Sequence, residues 1–135
     1  MKVRAHSKAV RISPRKVGIV ASLVRNRSVE DALTILDHTP RRAAPTIAKI
    51  IESARSNAEN NHNIKPDTLV ISDINIGPAQ SMRRYRPAAH GRANPYKRRS
   101  THITVIVEGQ QRVKKAKKKA DKAEKTDKAQ AKESK

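Results

Sequence analysis

The chain contains no Phe and no Trp, so whatever core it builds must be aliphatic. Ile, Val and Leu supply 26 side chains, and 25 of them fall within the first 111 residues. A foldable body is therefore expected over residues 1–111, as a single domain with one modest core. Residues 112–135 are almost only Lys, Ala, Asp, Glu, Gln, Ser and Thr, with 11 basic and 4 acidic residues. With no apolar face to dock, that stretch reads as a disordered polycationic tail.

Charge narrows the partner. Lys and Arg total 31 against 12 Asp and Glu, a net charge of +19. A polyanion is the natural ligand, because each phosphate neutralised releases condensed counterions. No run approaches the roughly 18 apolar residues of a spanning helix, and no long amphipathic stretch carries bulky apolar groups, so a membrane is not expected as partner. The absence of Cys excludes disulfides and thiolate metal sites and fits a reducing compartment. The first 29 residues hold no acid, a composition shared with mitochondrial presequences. Ser13-Pro14 is nevertheless a ready helix start, and the remainder would make a poor domain without this segment, which is read as part of the fold.

Residues 3–12 place β-branched side chains among Arg and Lys ahead of the turn-forming Ser13-Pro14, an expected edge strand. Ser13 is suited to cap a helix with Pro14 at its first position. Val17, Val20, Ala21 and Val24 then share one face, and Arg25-Asn26-Arg27 ends the helix. Ser28 is expected to cap a second helix, with Glu30 and Asp31 in its first turn, where the dipole favours negative charge. Its buried face is predicted to be Val29, Leu33 and Leu36, and His38-Thr39-Pro40 stops it. A third helix is predicted over about residues 42–60, with Pro45 in its first turn and a stripe of Ile47, Ile50, Ile51, Ala54 and Ala58. Asn60-Asn61-His62-Asn63 breaks it. Strands are predicted over residues 69–76 and 102–107. The fold class is α+β: three helices packed on a small three-stranded sheet, in β-α-α-α-β-β order, with a long protruding β-hairpin over about residues 77–101.

That hairpin segment is too long for an ordinary connection, and no acid occurs between Asp73 and Glu108. Its densest stretch begins Met82-Arg83-Arg84-Tyr85-Arg86 and ends Tyr96-Lys97-Arg98-Arg99, with His90, Gly91 and Arg92 between. Residues 82–99 hold seven cations, no anion and both of the chain's Tyr residues. An aliphatic domain that places its two rings in its most basic segment is not using them for packing. Rings interleaved with Arg suit RNA, where phosphates take the cations and unpaired bases stack on π faces. If strand pairing continues outward, residues whose numbers sum to about 179 face each other, such as Ser72 with Val107, and the turn falls near Ala89-His90. About 12 residues separate Gly77 from that turn, roughly 40 Å of ribbon. A second basic cluster comprises Arg4, Lys8 and Arg11 on the first strand with Arg15 and Lys16 at the first helix start. It is assigned to RNA contact, beside the alternative of a solvated edge strand whose cations block edge pairing. His102, which alternates away from the Ile103 face, joins these contacts.

Enzyme chemistry finds no foothold. The five His residues are scattered without metal-ligand spacing, and four Gly cannot make a phosphate-binding glycine loop. Asp37-His38 reads as a helix-end cap. No catalytic residue, metal or cofactor is expected. The rival reading is a nucleoid-type DNA-binding protein with a basic β-arm. Such arms carry an apolar wedge at the tip, and such proteins are usually dimers; here Pro87 is the only candidate wedge, and three helices precede the arm.

Five pieces of sequence fall in the order of one family. They are Ser13-Pro14-Arg15-Lys16-Val17, Glu52-Ser53-Ala54 with Asn57-Ala58-Glu59-Asn60-Asn61, Gly77-Pro78, Gly91-Arg92-Ala93 and His102-Ile103-Thr104-Val105-Ile106-Val107. Over about residues 3–109 the chain resembles the bacterial ribosomal protein L-twenty-two family of the large subunit. The resemblance implies an α+β globule on the ribosomal surface near the peptide exit. Its long hairpin would thread through large-subunit (23S) rRNA to the wall of the nascent-peptide tunnel, with Met82, Arg83, Arg84, His90, Gly91 and Arg92 near its tip. It further implies a structural constituent of a cytoplasmic ribosome that supports subunit assembly. Its partners would be rRNA, neighbouring ribosomal proteins and the nascent peptide, with no homo-oligomer. The chain departs from the family pattern at Ala88, where Arg usually follows the tip proline. It also departs at Asn94-Pro95-Tyr96, and in a spacing from Gly77-Pro78 to Met82 about two residues longer than usual. The lysine-rich tail lies outside the resemblance.

Overall fold

The first strand, β1 (Lys2–Val10), leads into three helices, α1 (Pro14–Val24), α2 (Val29–Asp37) and α3 (Ala44–His62). After a 3-10 turn (Pro66–Thr68) come the two long strands β2 (Val70–Pro87) and β3 (Ala93–Glu108). The computed structural model describes residues 1–110, so the tail expected over residues 112–135 lies outside the described residues. The strands form one antiparallel sheet of order β1-β3-β2, which puts the last strand at the centre and β1 at an edge, as expected.

Ser13 occupies the cap position of α1, but its side chain makes no capping hydrogen bond. The helix start rests instead on the fixed φ of Pro14 and on the Ser13 carbonyl, which accepts the Lys16 and Val17 N–H groups. Ser28 does cap α2: its Oγ accepts the Asp31 N–H at 3.2 Å and donates to the Asp31 carboxylate at 2.7 Å. In α2 the fully buried residues are Val29, Ala32 and Leu36, while Leu33 is only partly buried. The i, i+3, i+7 row meets the core squarely and Leu33 lies at its margin. The third helix starts two residues later than predicted, because Arg41 to Ala44 close a turn first (Ala44 N–H to Arg41 carbonyl, 2.9 Å). It runs on to His62 and stops at Asn63, whose φ is 50°. There the Ile64 N–H reaches back to the Ala58 carbonyl at 3.0 Å and buries its side chain, a Schellman ending. The predicted stripe Ile47, Ile50, Ile51, Ala54 and Ala58 is buried throughout.

The core lies between the helices and one face of the sheet. Val3 and Ala5 of β1, Ile71 and Ile74 of β2, and Ile103, Val105 and Val107 of β3 are all buried there. Ile71 and Ile74 are three apart and would face opposite sides of a regular strand. A bulge between Ile71 and Asp73 turns both inward. Val107 therefore faces Ile71, and the expected Ser72–Val107 pairing is wrong, because Ser72 is the extra residue of the bulge. From Asp73 to Ala79 the predicted register holds, as in Ile74 with Val105 and Gly77 with His102.

Arg25 fixes this irregular stretch to the end of α1. Its Nη2 donates to the Ile74 carbonyl at 2.8 Å and its Nε lies 3.4 Å from Asp73 Oδ1. The α1–α2 connection then runs along the outer edge of β2. Asn26 N–H bonds the Ile71 carbonyl at 3.0 Å and Ile71 N–H bonds the Arg27 carbonyl at 2.9 Å, so that edge is not left open.

Candidate nucleic-acid interface

Both long strands leave the core together. Beyond Ile76 on β2 and Thr101 on β3 no residue is buried, yet the pairing continues to Pro87 with Ala93. A second bulge, between Ala79 and Met82, shifts the register by one residue, so that Met82 faces Arg98 and Arg84 faces Tyr96. Cross-strand partners share a face. Met82, Arg84, Arg86, Tyr96 and Arg98 therefore lie on one side of the ribbon, and Arg83, Tyr85, Pro95 and Lys97 on the other.

Each face thus carries cations and one ring. On the first, the Arg86 guanidinium sits 5.1 Å from the Tyr96 ring centroid, a diagonal cross-strand contact. On the second, Tyr85 is 65% exposed and lines a shallow depression with Arg83, Pro95 and Lys97, which Tyr96 also borders. A ring that open has an unoccupied π face. The turn centres on Ala89–Gly91, near the expected place, with Ala88 N–H bonded to the Arg92 carbonyl at 2.7 Å. His90 and Gly91 have φ of 57° and 73°. Glycine adopts such values without cost, whereas His90 is held there by the turn.

The body residues divide. Arg11 reaches the hairpin root, where it lines a depression with Arg84, Arg98 and Arg99. Arg15 and Lys16 meet Arg99 at the start of α1. Arg4 does not join this cluster: it pairs opposite Ile106 near the far end of the sheet and is exposed there. Lys8 is exposed in the irregular end of β1 and, like Arg4, lines none of the depressions that hold Arg11, Arg15 and Lys16. The single basic cluster expected on the body is thus a root cluster and a strand pair. His102 is exposed as expected, but its Nδ1 accepts the Ala9 N–H at 3.2 Å, which leaves only the rest of the ring for an outside contact. The fold also brings Arg41 and Arg42 across from Arg11 and Lys16. Sequence reasoning assigned these two no site role, with Arg42 placed only at the start of the third helix, although an Arg-Arg pair after Pro40 was the available cue.

No group of His, Asp and Glu that could hold a metal ion occurs among the described residues. Nor is any helix among them long and apolar enough to cross a membrane.

An α+β globule whose central strand and neighbour run out together into a cationic ribbon defines a class: small basic proteins that present an extended hairpin. The sequence pattern of ribosomal protein L22p/L17e matches residues 5–108. Large ribosomal subunit protein uL22 of Oceanobacillus iheyensis is 44% identical over 107 residues, covering 79% of this chain and 95% of that protein. Its counterpart in Clostridioides difficile is 45% identical over 108 residues (80% and 97%), and that in a Thermoanaerobacter species 43% over 111 residues (82% and 100%). The chain belongs to the ribosomal protein L22p/L17e family, a family of structural ribosomal proteins.

Proposed function

We propose that this chain is a non-catalytic constituent of the large ribosomal subunit that binds 23S rRNA, supports subunit assembly and lines the nascent-peptide exit tunnel with its hairpin. The observation that carries this reading is the two-faced ribbon. An arm laid along a duplex needs cations on one face. A ribbon with cations and a ring on each face suits insertion among RNA strands, with phosphates at Arg and Lys and unpaired bases stacked on Tyr85 and Tyr96.

In this reading Arg83, Arg84, Lys97, Arg98 and Arg99 anchor the stem. Arg86 and Arg92 hold phosphates nearer the turn, and Met82, His90 and Gly91 approach the tunnel wall. Arg11, Arg15 and Lys16 extend the stem contact onto the body, while Arg4, Lys8 and His102 make peripheral ones. The body over residues 1–111 is one domain. The charge of residues 112–135 adds affinity without specificity, +7 from the balance of 11 basic and 4 acidic residues. The protein acts as a single copy beside other ribosomal proteins and the nascent peptide, in the cytoplasm, without metal or cofactor. The relatives' names as large-subunit proteins support this placement.

The test replaces Arg83, Arg84, Arg98 and Arg99 by Gln and titrates wild type and variant against deproteinised large-subunit rRNA and duplex DNA at several salt concentrations. Loss of four phosphate contacts should reduce the slope of log affinity against log salt by roughly 3 to 4 units on rRNA. Tighter binding to duplex DNA than to rRNA, or a wild-type protein washed off large subunits by moderate salt, would refute the assignment.

A further inference from the structure

Arg41 and Arg42 lie in the connection between α2 and α3, outside every segment so far given an RNA role. With Arg11 and Lys16 they line one groove, whose floor is apolar through Ile12, Val20 and Ala43. All four cations are exposed, and none is in an ion pair among the described residues. Four like charges gathered from three parts of the chain without a protein counterion make the groove electropositive, and a bound anion relieves what repulsion solvent and salt leave between them. The groove is also not isolated. Arg11 lines the depression at the hairpin root with Arg98 and Arg99, and Lys16 lines the next one with Arg99. At the other end, Arg42 continues into a groove between β1 and α3 that contains Lys49. Cations are therefore shared from each depression to the next.

We propose that Arg41 and Arg42, with Arg11 and Lys16, form a second phosphate-binding groove for an RNA backbone, continuous with the hairpin root. An RNA strand that leaves the stem then wraps the start of α1 and crosses to α3, which orients the globule relative to its ribbon. A peptide partner has no reason to follow the linked depressions, whereas a nucleic acid held by the stem already arrives at one end of them. The inference rests on the reading of the protein as RNA-binding, and the experiment separates the two.

Arg41→Gln/Arg42→Gln, the charge-conserving Arg41→Lys/Arg42→Lys and a root variant Arg98→Gln/Arg99→Gln are titrated with wild type against deproteinised large-subunit rRNA across salt. Thermal melts check that each folds as wild type does. The Gln pair at 41 and 42 should lower the salt slope by about 1.4–1.8 units for two lost phosphates, and the Lys pair should keep it. Hydroxyl-radical protection lost with that Gln pair should adjoin the nucleotides lost with the root variant. An unchanged slope while the root variant still flattens it overturns the groove, leaves the RNA reading standing and points to an acidic protein neighbour. Protection lost at a distant site overturns the continuous path. A wild type with no affinity for rRNA removes the reading on which both rest.

Discussion

The hydroxyl of Thr101 donates its hydrogen bond to the carbonyl of Ile12, 89 residues away in the chain. Thr101 is the one buried polar side chain among the described residues, and it stands where the ribbon leaves the core. This bond ties the turn after β1 to the root of the hairpin. Thr101→Val keeps the shape and removes the donor, so the Ile12 carbonyl is left short of a partner. The expected loss is about 1–3 kcal/mol, read from urea denaturation. Thr101→Ser should retain most of the stability, and a stable Thr101→Val beside a destabilised Thr101→Ser would show that the methyl group, not the bond, matters.

Gly109 is closely enclosed. A Cβ placed there would lie 2.6 Å from Ile64 Cγ2 and 2.8 Å from Leu69 Cδ2, two side chains that are themselves fully buried. Gly109→Ala should destabilise the fold by about 1–3 kcal/mol through overpacking. Ile64→Ala removes that Cγ2, so it should cost less in the Gly109→Ala background than in wild type, visible as coupling in a double-mutant cycle of thermal melts.

Ala9 has a φ of 55° where β1 loses register between Ser7 and Val10. A Cβ in that conformation is strained, so Ala9→Gly should stabilise the protein by up to about 1 kcal/mol. His102→Ala should cost about 0.5–1.5 kcal/mol, because the Ala9 N–H exchanges the imidazole for water. Chemical denaturation of both single variants measures each effect. A destabilised Ala9→Gly protein would show that the strand end is not held in this conformation.

The Glu108 carboxyl is held below the usual carboxylate range, first by the Ser72 hydroxyl and then by Lys2, whose Nζ lies 2.9 Å from its Oε1. The folded state therefore binds this proton less readily than the unfolded chain. The stabilising contribution is fully present above the ordinary carboxylate range and fades as pH falls through the lowered folded value. Glu108→Gln should be less stable than wild type at about pH 7, and the two should converge in strong acid below that range. Urea midpoints across the pH series test it, and a difference that persists unchanged in acid would exclude the ionised carboxylate as its source.

At the hairpin turn, deleting residues 88–90 should scarcely change affinity for rRNA, because the stem cations remain. Under the tunnel reading it should change how a nascent chain or a small molecule is handled there. Incorporation into subunits, followed by chemical probing of tunnel accessibility, checks this. Loss of incorporation with an unaltered tunnel would make the turn an RNA anchor.

The helices were legible because their aliphatic residues recur at helical spacing and their ends carry Ser28, Pro14 and Asn63. The ribbon was legible from an acid-free stretch too long to be a connection. The bulges were not read, because strand periodicity assumes uninterrupted alternation; in hindsight, two Ile residues three apart before Asn75 mark the first. The second bulge decides which cations share a face of the ribbon, so the sidedness of the site could not be read from spacing. Arg41 and Arg42 escaped because their nearness to Arg11 depends on how α1 and α3 meet, which no local pattern encodes.

The placement of β3 at the centre of the sheet has a temporal consequence. Val3 pairs with Val107 and Ala5 with Val105, so the strand made first waits for the strand made last. At roughly 5–20 residues per second of synthesis, β1 stays without its neighbour for about 5–20 s. Sheet closure is thus a late, long-range event, slowed by loop-closure entropy and unable to begin before nearly the whole body has been translated. Meanwhile the helices are free to form from local contacts, and the cationic N-terminal segment is the last piece to be locked into place.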